Sequence, residues 1–249
     1  MEIKRRSFQG VLNILSFNRH FYVFGFIALM LIIGSKFVFN CSHGLYWGII
    51  FAFIFGLIMP LIVSAYVYDF SGFYKFDWLK KMNIEDAENK FNLNINAGFD
   101  ETSFIIKNIL PHSNLQVYDF YDAEYHTEPA IIRARKVSQF YPSTQQITSN
   151  SIPLSDNSVD NIFLISAVHE IRKQEERIQF LSECRRVCKP NGNVIMVEHL
   201  RDFSNFLAFT IGFTHFFSKY DWNNAFKEAG FVAINETKFT PFLSIFNCS

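Results

Sequence analysis

From Leu45 to Tyr68 the chain runs for 24 consecutive residues without a single charge. As a helix rising 1.5 Å per residue, such a stretch is long enough to cross a hydrocarbon core of roughly 30 Å. It therefore reads as a membrane span, within which Pro60 is tolerable and introduces a kink. A second, weaker candidate precedes it. Phe21 to Phe39 is interrupted only by Lys36, close enough to the end for its amine to snorkel outward. A secretory signal peptide is the competing reading. The length of the run, the second span close behind it and the lack of a small-residue cleavage site favour a helical hairpin of two spans. Lys4, Arg5, Arg6 and Arg19 precede the pair and Lys75, Lys80 and Lys81 follow it, while the loop between offers Lys36 alone. This asymmetry predicts both termini, and the domain that follows, on the cytoplasmic side.

Charge divides the chain in the same place. Lys+Arg and Asp+Glu both number 23, so net charge gives no reason to expect nucleic acid as a partner. Residues 1–68 nevertheless hold five cations against Glu2, 5 − 1 = +4, which leaves −4 for the rest. The 49% hydrophobic content excludes a disordered chain. Before the first span, Phe8, Val11, Leu12 and Leu15 recur at helical spacing suited to the membrane interface. Behind the second, the aromatic run from Tyr66 to Trp78 suits the headgroup layer. The expected division is an anchor over residues 1–82 and a domain over residues 83–249. Cys41, Cys184, Cys188 and Cys248 are too few and scattered for a disulfide framework. Cys184 and Cys188 lie four apart on a predicted helix, but no further ligands stand nearby, so buried apolar roles are expected and no metal site.

Past residue 90 strands and helices alternate. Phe91–Ile95, Leu115–Tyr118, Asn161–Ser166 and Asn193–Glu198 read as strands. Helical patterns fall at Thr102–Leu110, Ile131–Lys136 and Lys173–Cys188, the last stopped by Lys189-Pro190-Asn191-Gly192. After a helix at Trp222–Ala229, Phe231–Glu236 and Pro241–Asn247 read as a terminal antiparallel hairpin. The pattern predicts an α/β fold with a Rossmann-like, doubly wound sheet. Ligands of such sheets bind beyond the carboxyl ends of the strands. There the first turn, Asn94-Ile95-Asn96-Ala97-Gly98-Phe99-Asp100, places a glycine at a helix start. Asp119 follows 119 − 98 = 21 residues later at the end of the second strand, where an acid accepts ribose hydroxyls. An ordinary strand-ending acid is the alternative for Asp119.

Ile152-Pro153-Leu154-Ser155-Asp156-Asn157-Ser158-Val159-Asp160 resembles the LPFPDNSFD segment of class I S-adenosylmethionine-dependent methyltransferases, above all the ubiquinone/menaquinone-type branch. Glu183-Cys184-Arg185-Arg186-Val187-Cys188-Lys189-Pro190-Asn191-Gly192 is similar to its ExxRVLKPGG segment, and Ala229-Gly230-Phe231 to the AGF before its last hairpin. The resemblance covers roughly residues 91–249 and implies a seven-stranded sheet, S-adenosylmethionine as cofactor and methyl transfer as activity. It implies cofactor contacts from Asn94, Asn96, Ala97 and Gly98 in the first turn and from Asp119 and Phe120 after the second strand. Thr148 and Ser149 would serve in the third turn and Ser166 after the fourth strand. The chain departs from the family's first motif, since Asn94 stands where the acid belongs and only the middle glycine is kept. Two functions follow. One is a membrane-anchored methyltransferase acting on an apolar or aromatic lipid-soluble molecule such as a quinone precursor. The other is a catalytically inactive binding or regulatory protein at the membrane. A purely structural membrane adaptor is the weakest reading.

Methyl transfer asks for alignment of acceptor and methyl group and, for a protonated acceptor, a base. His169 and Glu170 follow the fourth strand and Glu198, His199 and Asp202 the fifth; His169, Glu170 and His199 are the leading candidates. His215 lies in an aromatic insertion, Phe203 to Phe217, that suits a lid, an acceptor pocket or core. The cations Arg133, Arg135 and Lys136 suit an acidic substrate or anionic headgroups, or a solvated helix. Nothing in the pattern specifies an oligomeric state.

Overall fold

The computed structural model describes residues 5–39, 42–82, 84–126 and 128–249. Cys41 and Thr127 lie outside the described residues. Three helices open the chain: α1 (Gln9–Phe17), α2 (Arg19–Ser35) and α3 (His43–Ser64). Helix α3 continues through a π-helical turn, Ala65–Phe70, and a 3₁₀ turn, Phe73–Lys75, into the short α4 (Asp77–Lys80). The wider turns begin five residues beyond Pro60, whose missing N–H loosens the helical ladder. Among the described residues one continuous helix, His43–Lys75 with 33 residues, is long and apolar enough to cross a bilayer. The other expected span is shorter than Phe21–Phe39. Helix α2 has 17 residues, and reaches spanning length only together with α1, from which it is bent by 74°.

Helices α2 and α3 pack closely. A Cβ on Gly25 would stand 2.6 Å from Leu57 Cδ2, and the Tyr46 hydroxyl donates to the Ile33 carbonyl (3.1 Å). Their outer surfaces are bare and apolar, with Phe21, Phe24, Leu31, Leu45, Phe51 and Ile62 all exposed. Only toward its C-terminal end does α3 enter the protein, where Val63 and Ser64 are buried and Val67 beyond them is fully enclosed. The part from His43 to Ile62, in which only Tyr46 and Ile50 are buried, is about 20 residues, roughly 30 Å of helix.

The remainder is the expected seven-stranded sheet. Its strands are β1 (Phe91–Asn96), β2 (Asn114–Asp119), β3 (Gln145–Gln146), β4 (Val159–Ile165), β5 (Cys188–His199), β6 (Ile234–Lys238) and β7 (Leu243–Cys248). They lie in the order β3-β2-β1-β4-β5-β7-β6, all parallel except β7. The connections carry α5 (Ser103–Ile109), α6 (Pro129–Val137), α7 (Gln174–Val187), α8 (Phe203–Phe209) and α9 (Lys219–Glu228). Local chemistry sets their ends: Pro129 opens α6, Ser218 and Asp221 form a capping box on α9, and Asp202 accepts from the Asn205 amide to start α8. Lys189-Pro190-Asn191-Gly192 does end a helix, but the backbone passes straight from Val187 into β5.

Side chains along β4 and β5 alternate between two cores, as strand geometry requires. Ile162, Leu164, Val194 and Met196 face α7 and α9 together with Phe180, Trp222 and Phe226. Phe163, Ile165, Ile195 and Val197 face the other way and meet Val63, Val67, Phe73, Phe76, Trp78 and Leu79. The aromatic run expected at headgroup level is therefore divided: Tyr66 and Phe70 are exposed, whereas Phe73, Phe76 and Trp78 are core. Residues 63–79 thus pack as a layer of the domain expected to begin at residue 83. On β1 the second face is polar. Asn193 Nδ2 donates to Asn161 Oδ1 (3.1 Å), Asn161 Nδ2 to Asn92 Oδ1 (2.8 Å) and Asn92 Nδ2 to Ser113 Oγ (2.7 Å), a ladder across three strands. Trp78, 3% exposed, donates its indole N–H to the Phe73 carbonyl. Trp78→Ala is expected to cost about 3–5 kcal/mol, measured as a lower chemical-denaturation midpoint in detergent.

Candidate active site

The carboxyl ends of β1 and β2 form the first half of the site. Gly98 adopts φ +91°, open to glycine at little cost, and its N–H donates to Asn96 Oδ1 (3.0 Å) to close the turn. Asn96 Nδ2 donates to the Tyr118 carbonyl, and Ala97 is buried beneath. Asn94 Nδ2 donates to Thr102 Oγ1 (3.1 Å) and Ser103 Oγ (2.8 Å), leaving Asn94 Oδ1 buried without a partner. Asp100 Oδ1 accepts from the amides of Thr102 and Ser103, and its Oδ2 is likewise unpartnered. Ser166, at φ +49° after β4, holds a third buried oxygen with no partner.

Asp119 ends β2 as expected, 1% exposed. Its Oδ1 accepts from the Tyr121 amide (2.8 Å) and its Oδ2 from Arg135 Nη1 (2.6 Å). The Arg135 guanidinium lies over the Tyr121 ring, 4.4 Å from its centroid. A Cβ on Gly98 would stand 2.9 Å from both Arg135 Nη1 and Tyr121 Cβ, so these two side chains fill the space over the glycine. Phe120 points the other way, into the core against Phe180. In the third turn Thr148 is exposed, and Ser149 Oγ donates to Glu176 of α7 (2.5 Å).

Helices α1 and α6 close over this turn. Phe17 packs edge-on against Phe99, and Arg133 Nη1 donates to the Phe17 carbonyl (2.5 Å) and approaches His20 Nδ1 (2.8 Å). Glu101 accepts from Gln9 Nε2 (3.0 Å), Asn13 Nδ2 (3.2 Å) and the Tyr74 hydroxyl (2.5 Å), and Arg5 lies 3.0 Å from it. Of the three cations expected to meet an acidic ligand or headgroups, Arg133 and Arg135 are turned inward to protein partners. Lys136 alone is exposed.

The second half of the site lies behind β4 and β5. His169 and Glu170 sit on the 3₁₀ turn Val168–Glu170. His169 Nδ1 meets Glu198 Oε2 at 2.7 Å, and Nε2 lies 3.4 Å from Glu170 Oε1. Burial opposes a charge on this ring, but the two carboxylates prevail and push it up to about 10, an imidazolium at neutral pH rather than a base. Burial beside that cation pushes His215 down to about 4. His199 is committed elsewhere: Nδ1 donates to the Phe242 carbonyl (2.9 Å) and faces Asn205 Oδ1 (3.1 Å), so Nε2 accepts from the Tyr68 hydroxyl (2.8 Å). It joins the π-helical turn after α3 to β5, and with both nitrogens bonded it has no lone pair to offer an acceptor.

Comparison with known proteins agrees with this architecture. Residues 113–196 match the family model of the methyltransferase domain. A candidate O-methyltransferase from Nostoc punctiforme superposes with a TM-score of 0.54 at 12% identity, over 96% of this chain and 71% of that one. A protein from Pyrococcus horikoshii OT3 gives 0.51 at 15% identity, over 69% and 86% of the two chains. A SAM-dependent methyltransferase from Aquifex aeolicus gives 0.49 at 18%, over 76% and 97%. No curated protein matches by sequence. Sheet order and matched segment give the α/β part the fold of methyltransferase domains, whose methyl donor is S-adenosylmethionine. The donor set fits that cofactor: a glycine turn, an acid at the end of β2, and unpartnered oxygens on Asn94 and Ser166 able to accept from an ammonium.

Two outcomes are expected. Asp119→Ala should weaken S-adenosylmethionine binding by about 1–3 kcal/mol, whereas Arg135→Ala, freeing the same carboxylate, should tighten it several-fold, both by calorimetry. His199 is held down to about 4 chiefly by burial. A depressed folded value means that its contribution is fully present above about pH 6.5 and lost as pH falls toward 4. The unfolding midpoint of the wild type should therefore drop between pH 6.5 and 4 by more than that of His199→Gln.

Proposed function

We propose that this protein is a membrane-anchored methyltransferase of the ubiquinone/menaquinone type, moving a methyl group from S-adenosylmethionine to an apolar or aromatic lipid-soluble molecule. The observation that carries the reading is the placement of Gly98 and Asp119 at adjacent strand ends of a sheet with methyltransferase order. The cofactor, when bound, supplies an electrophilic methyl on a sulfonium. Asp119 would hold its ribose, and Asn94 and Ser166 its methionine ammonium. His169 and Glu170, at the end of β4, would position the acceptor from the opposite side. In this role His169 is a hydrogen-bond donor, since Glu198 and Glu170 keep it charged.

The acceptor class is inferred from the anchor. Helices α2 and α3 form a two-span hairpin, with both termini and the catalytic domain cytoplasmic. Helix α8 packs beside α3, and Phe203, Phe206, Leu207 and Ile211 are exposed. Such a surface extends the apolar face of the anchor along the domain and suits shallow insertion in the bilayer. The site would then open where lipid-soluble acceptors reside.

The second reading, a methyltransferase fold without catalysis, is favoured by the Arg135–Asp119 pair and the filled space over Gly98. Turnover discriminates the two. Protein reconstituted in liposomes with labelled S-adenosylmethionine is expected to transfer label to quinone precursors dissolved in the bilayer, and Asp119→Ala to lose most of that transfer. Tight cofactor binding without transfer to any lipid-soluble acceptor would select the inactive reading.

A further inference from the structure

The cluster behind β4 and β5 is more elaborate than acceptor positioning requires. His169 and Glu170 come from the turn after β4, whereas His215 comes from the 3₁₀ segment Thr210–His215 that follows α8. Arg172 fastens the two segments together, its Nη1 donating to the carbonyls of both His169 (3.1 Å) and His215 (2.6 Å). The two imidazole rings meet edge to face with centroids 5.2 Å apart.

We propose that His169, Glu170 and His215 form a binding site for one divalent transition-metal ion. One ligand atom from each residue lies within 4.8 Å of the others. The separation of His169 Nε2 and Glu170 Oε1, 3.4 Å, is the edge of a tetrahedron about an ion with bonds of about 2.1 Å. His215, partly exposed, offers the third ligand atom within 4.8 Å of both.

Behind these ligands stands the arrangement expected of a metal-binding histidine. Glu198 is 1% exposed and is fixed by the amides of Val168 (3.1 Å) and His169 (3.3 Å), both donating to Oε1. Its other oxygen takes the His169 Nδ1 proton at 2.7 Å, which aims Nε2 at Glu170 and His215. A carboxylate behind a histidine both orients the ring and raises its basicity as a ligand. The charge is also suited to a cation: Glu170, Glu198 and Glu128 converge here, with Glu128 Oε2 3.6 Å from His215 Nδ1. Arg172 spends its Nη1 on carbonyls rather than on these acids.

Two imidazole nitrogens with one carboxylate favour zinc, iron, cobalt or nickel over magnesium or calcium, which prefer all-oxygen sites. Three protein ligands leave at least one position for a water or another oxygen donor. Sequence spacing hid the site, since His215 lies far from the His169-Glu170 pair. The inference does not rest on the methyl-transfer reading, because the ligands are not those of the cofactor turn.

Cobalt(II) is the probe of choice, since its visible absorption reports coordination number. Tag-free, full-length protein in detergent, stripped with chelator, is expected to bind one equivalent at micromolar concentration with the intense bands of a four- or five-coordinate ion. Glu170→Gln and His215→Ala should each weaken binding at least tenfold at an unchanged unfolding midpoint. Glu198→Gln should weaken it roughly 10- to 100-fold. Less than a tenth of an equivalent bound at millimolar cobalt, or the same affinity in Glu170→Gln and His215→Ala as in the wild type, would overturn the proposal.

Discussion

A parallel sheet must be covered on both faces, and here one cover is the C-terminal end of the long apolar helix α3 with the turns that follow it. Phe163, Ile165, Ile195 and Val197 share one buried cluster with Val63, Val67, Phe73, Phe76, Trp78 and Leu79, and with Ile106, Leu110 and Ala208. Burial of each such side chain is worth about 1.5–3 kcal/mol, so the layer contributes on the scale of a domain's whole net stability. The end of α3 and the sheet are therefore one folding unit.

That constraint reaches the strand ends. Because α3 is fixed against the sheet, α1 is brought over the first turn, where Gln9, Asn13 and Tyr74 all donate to Glu101. Asp69, just beyond the apolar run, accepts from the Gly10 (2.8 Å) and Val11 (3.3 Å) amides at the start of α1. Gly10 is needed there, since a Cβ would stand 2.5 Å from Tyr68 Cβ. Phe17 and Arg133 then carry the contact to α6, whose Arg135 rests on Asp119. A continuous set of packed groups thus joins α1 and the end of α3 to Asp119 at the end of β2.

Much of the sheet was legible because its signals are local. Apolar runs bounded by turns marked β1, β2, β4, β5 and β7 to within a few residues, and the Asp156-Asn157 turn before β4 has Asn157 at φ +53°. Strand β3 escaped notice because Gln145 and Gln146 are both exposed and carry no apolar pattern. The aromatic run 66–78 misled because burial against a sheet and burial at a headgroup layer demand the same residue types. Asp119 and Gly98 were visible from their spacing. The partners that define their state, Arg135 and Tyr121, were not, because a guanidinium on a basic helix looks the same whether it faces water or a carboxylate. His199 failed as a base for a similar reason: its strand-end position was legible, its bonds to Tyr68 and Phe242 were not.

At both halves of the site there are acids that already have a counter-charge. Asp119 is answered by Arg135, and Glu198 and Glu170 by His169. A buried carboxylate left unpaired would cost several kcal/mol, so this self-satisfaction keeps the strand ends stable in the absence of any ligand. It also raises the requirement on whatever binds. Hydroxyls taking the place of Arg135 on Asp119 would replace a charged partner with neutral donors, a loss that Arg135, 29% exposed, offsets by regaining solvent. A cation at His169 Nε2 would displace only a proton, with Glu170 beside it as a ligand and Glu198 still bonded to the far side of the ring, so that half of the site is the better prepared to exchange its counter-charge for a ligand.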